Sequence, residues 1–255
     1  TASQYNVAVG HLTMDAAMAG ASNNAACGYA SLSSLTTGNQ NVGLGTAAGN
    51  AITTGDDNVC IGYRAGDAFD AENNNIFIGA NAGGGGSLAV GSTIGIGSSA
   101  LTALTSGGYN LAIGHQAGLL VTDGSSNTLI GYGAADGMRS NSSRNTALGA
   151  GAFGGTHATA DSDDCVAIGA YAMNQACNAV TGSVAVGSYA LNELTTGTGN
   201  LAIGYQALQD NQTGGDNVMI GYQAGKDAND AGFDKNVGIG NYVFDGVASS
   251  QNVIQ

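Results

Sequence analysis

A five-residue phrase recurs along the whole chain: Asn, an apolar residue, a small residue, a second apolar residue and Gly. It ends at Gly10, Gly28, Gly45, Gly62, Gly79, Gly97, Gly114, Gly131, Gly149, Gly169, Gly187, Gly204, Gly221 and Gly240. Successive glycines stand 17 or 18 residues apart, with two longer intervals of 20 and 19 before Gly169 and Gly240. A short fixed period of this kind is the signature of a stacked repeat architecture. It leaves no room for a helix pair with its connections, but it suits one coil of a solenoid. The second half of each unit is patterned too. Ala follows the glycine by three residues in 11 of 14 units, the next position is Leu, Gly or another apolar residue, and a polar turn such as Thr36-Thr37-Gly38 closes the unit.

The apolar positions pair two residues apart, as in Val42/Leu44, Val59/Ile61, Ile76/Ile78, Leu111/Ile113 and Val166/Ile168. In a strand such residues share one face, and most are β-branched, which suits strands. The residue between them is Ala or Gly in 10 of 14 units, where a solvent-facing position would be polar. The pattern predicts that both strand faces are buried and that the paired aliphatic positions, Ile113 among them, line a continuous buried column. Gly closes this strand, where a turn needs positive φ or close backbone approach. A second short strand and a second turn at the Thr-Gly-Asn region complete the coil. The expected fold is all-β, a parallel β-solenoid or β-roll of about 14 coils with a 17–18 residue repeat. At the usual strand spacing of about 4.8 Å it would form a rod roughly 65 Å long.

The asparagine that opens each phrase recurs once per coil: Asn6, Asn24, Asn41, Asn58, Asn75, Asn110, Asn127, Asn145, Asn200, Asn217 and Asn236. In parallel in-register strands such amides can hydrogen-bond along the stack, so an asparagine ladder is expected, interrupted by Thr93, Cys165 and Ser183.

Composition narrows the function. The 255 residues include 44 Gly and no Pro or Trp, and only 9% are charged. With 43% hydrophobic residues the chain does not fit the low-hydrophobicity, high-charge profile of disorder. The absence of proline rules out collagen. A net charge of −13 argues against nucleic acid or an anionic membrane surface as partner. No apolar run approaches a membrane span, so membrane insertion is not expected.

A coil with two large aliphatic residues and several alanines is thin, and further chains are expected to cover it. The reading is a parallel homotrimer in which the small-residue face packs between chains. Asn6 opens a phrase almost at once, and Asn252-Val253-Ile254-Gln255 resembles the start of another. Residues 1–255 are therefore read as a single repetitive β-roll segment of a longer fibrous protein.

Units such as Asn200-Leu-Ala-Ile-Gly-Tyr-Gln-Ala-Leu208 and Asn217-Val-Met-Ile-Gly-Tyr-Gln-Ala-Gly225 resemble the head repeats of trimeric autotransporter adhesins. They resemble still more the related repeats of bacteriophage tail-fibre proteins. The likeness extends over essentially the whole chain, although the coil here is longer than the adhesin repeat. It implies a left-handed parallel β-roll, trimerised along a common axis, in an extracellular stalk or head used for surface attachment.

Residues that could carry chemistry read mostly as repeat substituents. His11 and His115 occupy the position after the repeat glycine, where Tyr29, Tyr63, Tyr132, Tyr205 and Tyr222 also stand; His157 is the third histidine. A column of such rings could stack on glycans, though a packed corner is the plainer reading. Cys27 and Cys60 take strand positions and read as buried small hydrophobes. Cys165 and Cys177 share one coil and could pair, free thiols being the default. Acidic turns at Asp56-Asp57, Asp161–Asp164 and Asp227, Asp230 and Asp234 could hold calcium, but a solvated acidic surface is the simpler account. Gly83–Gly86 lacks the Lys-Ser/Thr of a phosphate loop, and no G-x-S-x-G elbow occurs. No catalytic residue, cofactor or metal is assigned. The expected role is a structural and attachment protein, a segment of a trimeric fibre such as a phage tail fibre in the virion, whose partners are itself and a cell-surface glycan or protein receptor. The alternatives are the head of a bacterial trimeric adhesin, or a monomeric β-solenoid binding sugar or ice.

Overall fold

The computed structural model describes residues 3–84, 91–138, 141–155, 161–229 and 232–245. His157, Asp230, Gly85, Gly86 and residues 252–255 lie outside them. Contacts divide the chain into two units, residues 1–126 and 127–255. The first holds β1 (Val7–Val9), β2 (Ala25–Cys27), β3 (Val42–Leu44), β4 (Val59–Ile61), β5 (Ile76–Ile78), β6 (Ile94–Ile96) and β7 (Leu111–Ile113). The second holds β8 (Thr128–Ile130), β9 (Thr146–Leu148), β10 (Val166–Ile168), β11 (Val184–Val186), β12 (Leu201–Ile203), β13 (Val218–Ile220) and β14 (Val237–Ile239). Within each unit every strand pairs in parallel with its neighbours in sequence. The register superimposes the repeats residue on residue: Val42 on Val59, Gly43 on Cys60, Leu44 on Ile61. The protein is an all-β parallel solenoid, and its strand is the predicted apolar phrase.

Two expectations are corrected. Each described coil carries one strand, not two. The second half is a chain of turns because alternate residues there take left-handed φ, as at Ala47 (+56°) and Gly49 (+58°), which no β-strand accommodates. Its amides still bond between coils: Ala47 N–H donates to Tyr29 O of the preceding coil and Gly49 N–H to Ala65 O of the next.

The second correction concerns which strand face is inside. In β2 to β14 the middle residue is buried, whereas the flanking aliphatic residues are half-buried or exposed. Ile113 is 36% exposed, Leu44 40%, Leu148 43% and Ile239 63%. The reason is volume. The middle residue shares a narrow interior with the Ala three positions after the repeat glycine and with the residues four and seven positions after it. A small residue fits there; two large ones do not, and they are left on the outer face.

That interior is filled by compensation from coil to coil. Phe77, fully buried in the middle of β5, faces Gly83 and Gly95; a Cβ on either would lie within 3 Å of its ring. Gly66 makes the same room for Cys60 and Phe69, and the Phe69 and Phe77 rings meet at 5.6 Å. Where the fourth position is large, as at Leu32, Leu101, Leu191 and Leu208, it is itself fully buried. The seventh position forms a further buried column through Leu35, Ile52 and Phe69, with Leu104 and Val121 later in the same unit and Met138 and Leu194 in the second. The repeat glycines close the strand by stacking on each other: at Gly62 (φ +129°) a Cβ would stand 2.8 Å from the carbonyl of Gly79. Only glycine tolerates both that φ and that approach.

Candidate functional site

The asparagines form a buried ladder inside each unit. Asn41 donates its backbone N–H (2.8 Å) and its Nδ2 (3.1 Å) to Asn24 Oδ1, and its Nδ2 also bonds Gly55 O at 2.7 Å. Asn58 repeats this on Asn41, and Asn75 on Asn58. Asn24 rests on Asn6 in the same way. In the second unit Asn145 N–H donates to Asn127 Oδ1, Asn217 rests on Asn200, and Asn236 on Asn217. Asn110 Nδ2 bonds Gly124 O. All these asparagines but Asn6 are at most 2% exposed. The interruptions still bond into the column: Thr93 N–H and Cys165 N–H donate to Asn75 Oδ1 and Asn145 Oδ1, and Ser183 Oγ accepts Asn200 N–H.

A second, outer ladder explains several acidic turn residues and was not anticipated. Asn39 Oδ1 accepts Ser22 N–H, Asp56 Oδ1 accepts Asn39 N–H, and Asn73 Oδ1 accepts Asp56 N–H. Asp163 and Asp234 serve Ser143 and Gly215 likewise. These positions lie two residues before the ladder asparagine. The cue was the recurrence there of Asn, Asp, Ser and Thr, whose oxygens cap backbone amides. Arg144 pairs with Asp164 at 2.6 Å and Asp163 at 3.2 Å, and that hydrogen bond holds the Asp164 carboxyl below its ordinary range. Among the described residues no group of three or more His, Cys, Asp and Glu is placed to hold a metal.

Cys60, Cys165 and Cys177 are buried free thiols, and burial raises Cys60 to about 12 and Cys165 to about 11. Thiols so reluctant to ionise are poor nucleophiles. Cys27, expected inside, is exposed because it occupies the outer face of β2.

Aromatic rings gather beside the strands. His11 stacks on Tyr29 at 5.7 Å. In the second unit Tyr171, Tyr189, Tyr205, Tyr222 and Tyr242 form a continuous column with centroids 5.3–6.4 Å apart. Tyr171, Tyr189 and Tyr242 follow the repeat glycine by two residues, so a reading confined to the first position overlooked them. Two of the four contacts are stacked and two are T-shaped, so the rings shield one another in part.

The largest unsatisfied feature is the outer aliphatic face. Aliphatic side chains such as Val59/Ile61, Ile76/Ile78 and Ile94/Ile96 stand on the outer face of the parallel ladder and are half-buried there. Comparison with family models, with curated proteins and with solved structures finds no match.

Proposed function

We propose that this chain is a structural and attachment protein, a segment of a homotrimeric extracellular fibre of the kind found in phage tail fibres. The observation that carries the reading is the outer aliphatic face. Contiguous exposed apolar surface marks an interaction site, and here it repeats with every coil. The contact differs from the one expected from sequence: the small residues fill the coil, and the paired Val, Ile and Leu side chains meet the partner. A three-residue strand is only about 10 Å long. Two such stripes face to face leave their flanks in water, whereas three around a common axis enclose a core under a closed cyclic symmetry. A chain built of identical coils with buried thiols and paired turn carboxylates suits mechanical reach and multivalent contact rather than chemistry.

Cys27 reports on this arrangement because it lies on the face in question. Mild oxidation of the native protein should give a disulfide-linked dimer on a non-reducing gel, with one chain in three left uncoupled. The band should vanish in Cys27→Ser, and it should persist when the protein is diluted before oxidation. Absence of the band under conditions where Cys27 is reactive would count against this face as the contact.

A further inference from the structure

We infer that the first unit carries a binding subsite for a neutral saccharide, centred on the exposed ring of Tyr109. This extends the attachment role proposed above by naming the ligand chemistry. An open concavity of about 410 Å3 is lined by Glu72, Asn73, Asn74, Gly91, Ser92 and Tyr109. The residue just before each ladder asparagine takes left-handed φ: Gln40, Asp57, Asn74, Ser92, Tyr109 and Ser126 lie between +58° and +62°. All but Tyr109 are small or flexible polar residues. Tyr109 is 64% exposed, its neighbours in the column are serines, and among the described residues no other ring packs on it. It differs in this from Tyr171, Tyr189, Tyr205, Tyr222 and Tyr242, whose rings contact one another.

The surrounding groups match a sugar rather than an apolar or anionic ligand. A pyranose offers a C–H face to an aromatic ring and hydroxyls at its rim, and Tyr supplies an apolar body with a polar tip. Asn73 Oδ1 is used by Asp56 N–H at 2.6 Å, which turns its amide into a donor for a ligand. Glu72 Oε2 accepts the N–H groups of Asp70 and Ala71, both at 3.0 Å, leaving the other carboxylate oxygen as an acceptor for a hydroxyl. Ser92 and Asn74 add a hydroxyl and an amide, each able to donate and accept. The backbone under them is held by bonds between coils, Asn74 N–H to Asp56 O at 3.1 Å and Ser92 N–H to Asn73 O at 3.0 Å. The groups are therefore positioned before a ligand arrives, which lowers the cost of binding. Glu72 in the lining and a net charge of −13 repel carboxylated, sulfated or phosphorylated sugars.

The test is binding of the full chain to immobilised neutral hexose and N-acetylhexosamine oligosaccharides, with sialylated and sulfated ones alongside. At least one neutral glycan should be retained and the anionic ones should not. Tyr109→Ala should weaken retention at least tenfold, and Tyr109→Phe should keep most of it. Ser92→Gln should block the concavity without disturbing the fold, since Gln40 adopts the same φ at the equivalent position. Failure to bind any neutral glycan, a preference for anionic ones, or unchanged binding in both Tyr109→Ala and Ser92→Gln would overturn the inference. Light scattering on the same samples separates it from the trimer: a monomer that binds through Tyr109 keeps the subsite and loses the trimer, and a trimer indifferent to glycans does the reverse.

Discussion

Asn58 shows how much of this fold rests on a single side chain. Its Nδ2 bonds Asn41 Oδ1 and Glu72 O, and its Oδ1 accepts both N–H donors of Asn75. Replacing it by Ala removes the partner of the Glu72 carbonyl and of both Asn75 donors, at about 1–3 kcal/mol for each buried group left without one, while Asn41 Oδ1 keeps the backbone N–H of residue 58. Asn58→Ala should therefore lower the unfolding midpoint in urea sharply, well beyond the effect of an exposed Asn229→Ala control; equal effects would refute the ladder's structural weight. Asp210 makes a smaller and oppositely directed contribution. Burial first, and then the hydrogen bond its protonated form donates to Asp227 and the charge of Glu193, raise its carboxyl above the ordinary range despite Lys226 nearby. A carboxyl that holds its proton more tightly folded than unfolded costs stability where it is ionised, and the cost disappears below the ordinary carboxylate range. Asp210→Asn should raise the melting temperature slightly at pH 7, and the gain should shrink as pH falls toward 4. A gain that is the same at both pH values would contradict the assignment.

At the scale of the strand, the two faces do different work, and neighbouring residues separate them. Ala112 is fully buried and Ile113 is 36% exposed. Asp in place of Ala112 forces an unpaired charge and extra volume into a closed interior, at several kcal/mol, so Ala112→Asp should abolish the folded circular-dichroism signal. Ile113→Asp should leave each chain folded and lower the temperature at which the proposed assembly dissociates. If Ile113→Asp unfolds the isolated chain, the inside and outside assignments are wrong. The existence, parallel pairing and register of every strand were legible in the sequence because the phrase repeats with a nearly fixed period. The inner face was not. Alternation at period two says only that two faces differ. Assigning the large residues to the core assumed an interior wide enough for them, and the Phe77, Gly83 and Gly95 contacts show how narrow it is. The buried seventh position escaped notice because Leu, Ile, Phe, Val and Met alternate with Asn211 and Ala228 inside a segment whose polar residues mark a turn. The aromatic column was half legible, since its rings shift between the first and second positions after the glycine. Tyr109 carried no signal beyond being the aromatic member of a polar column.

For the molecule as a whole, the repeat links the association and the attachment proposed above. Each coil has one wall made of aliphatic residues, and stacking coils extends that wall without closing it. Burial of Val, Ile and Leu side chains contributes about 1.5–3 kcal/mol each, so three walls meeting on an axis gain in proportion to the number of coils. The outer polar ladder and the Tyr109 concavity lie outside the core and are free to meet a surface. An assembly of this kind would present each candidate site three times, and linked sites bind a multivalent surface far more tightly than one alone. The measurement that bears most directly on this account is native mass by light scattering on the natural chain. The account predicts a species near 75 kDa, three times 24.9 kDa. A natural chain that is folded and stable at about 25 kDa would contradict it.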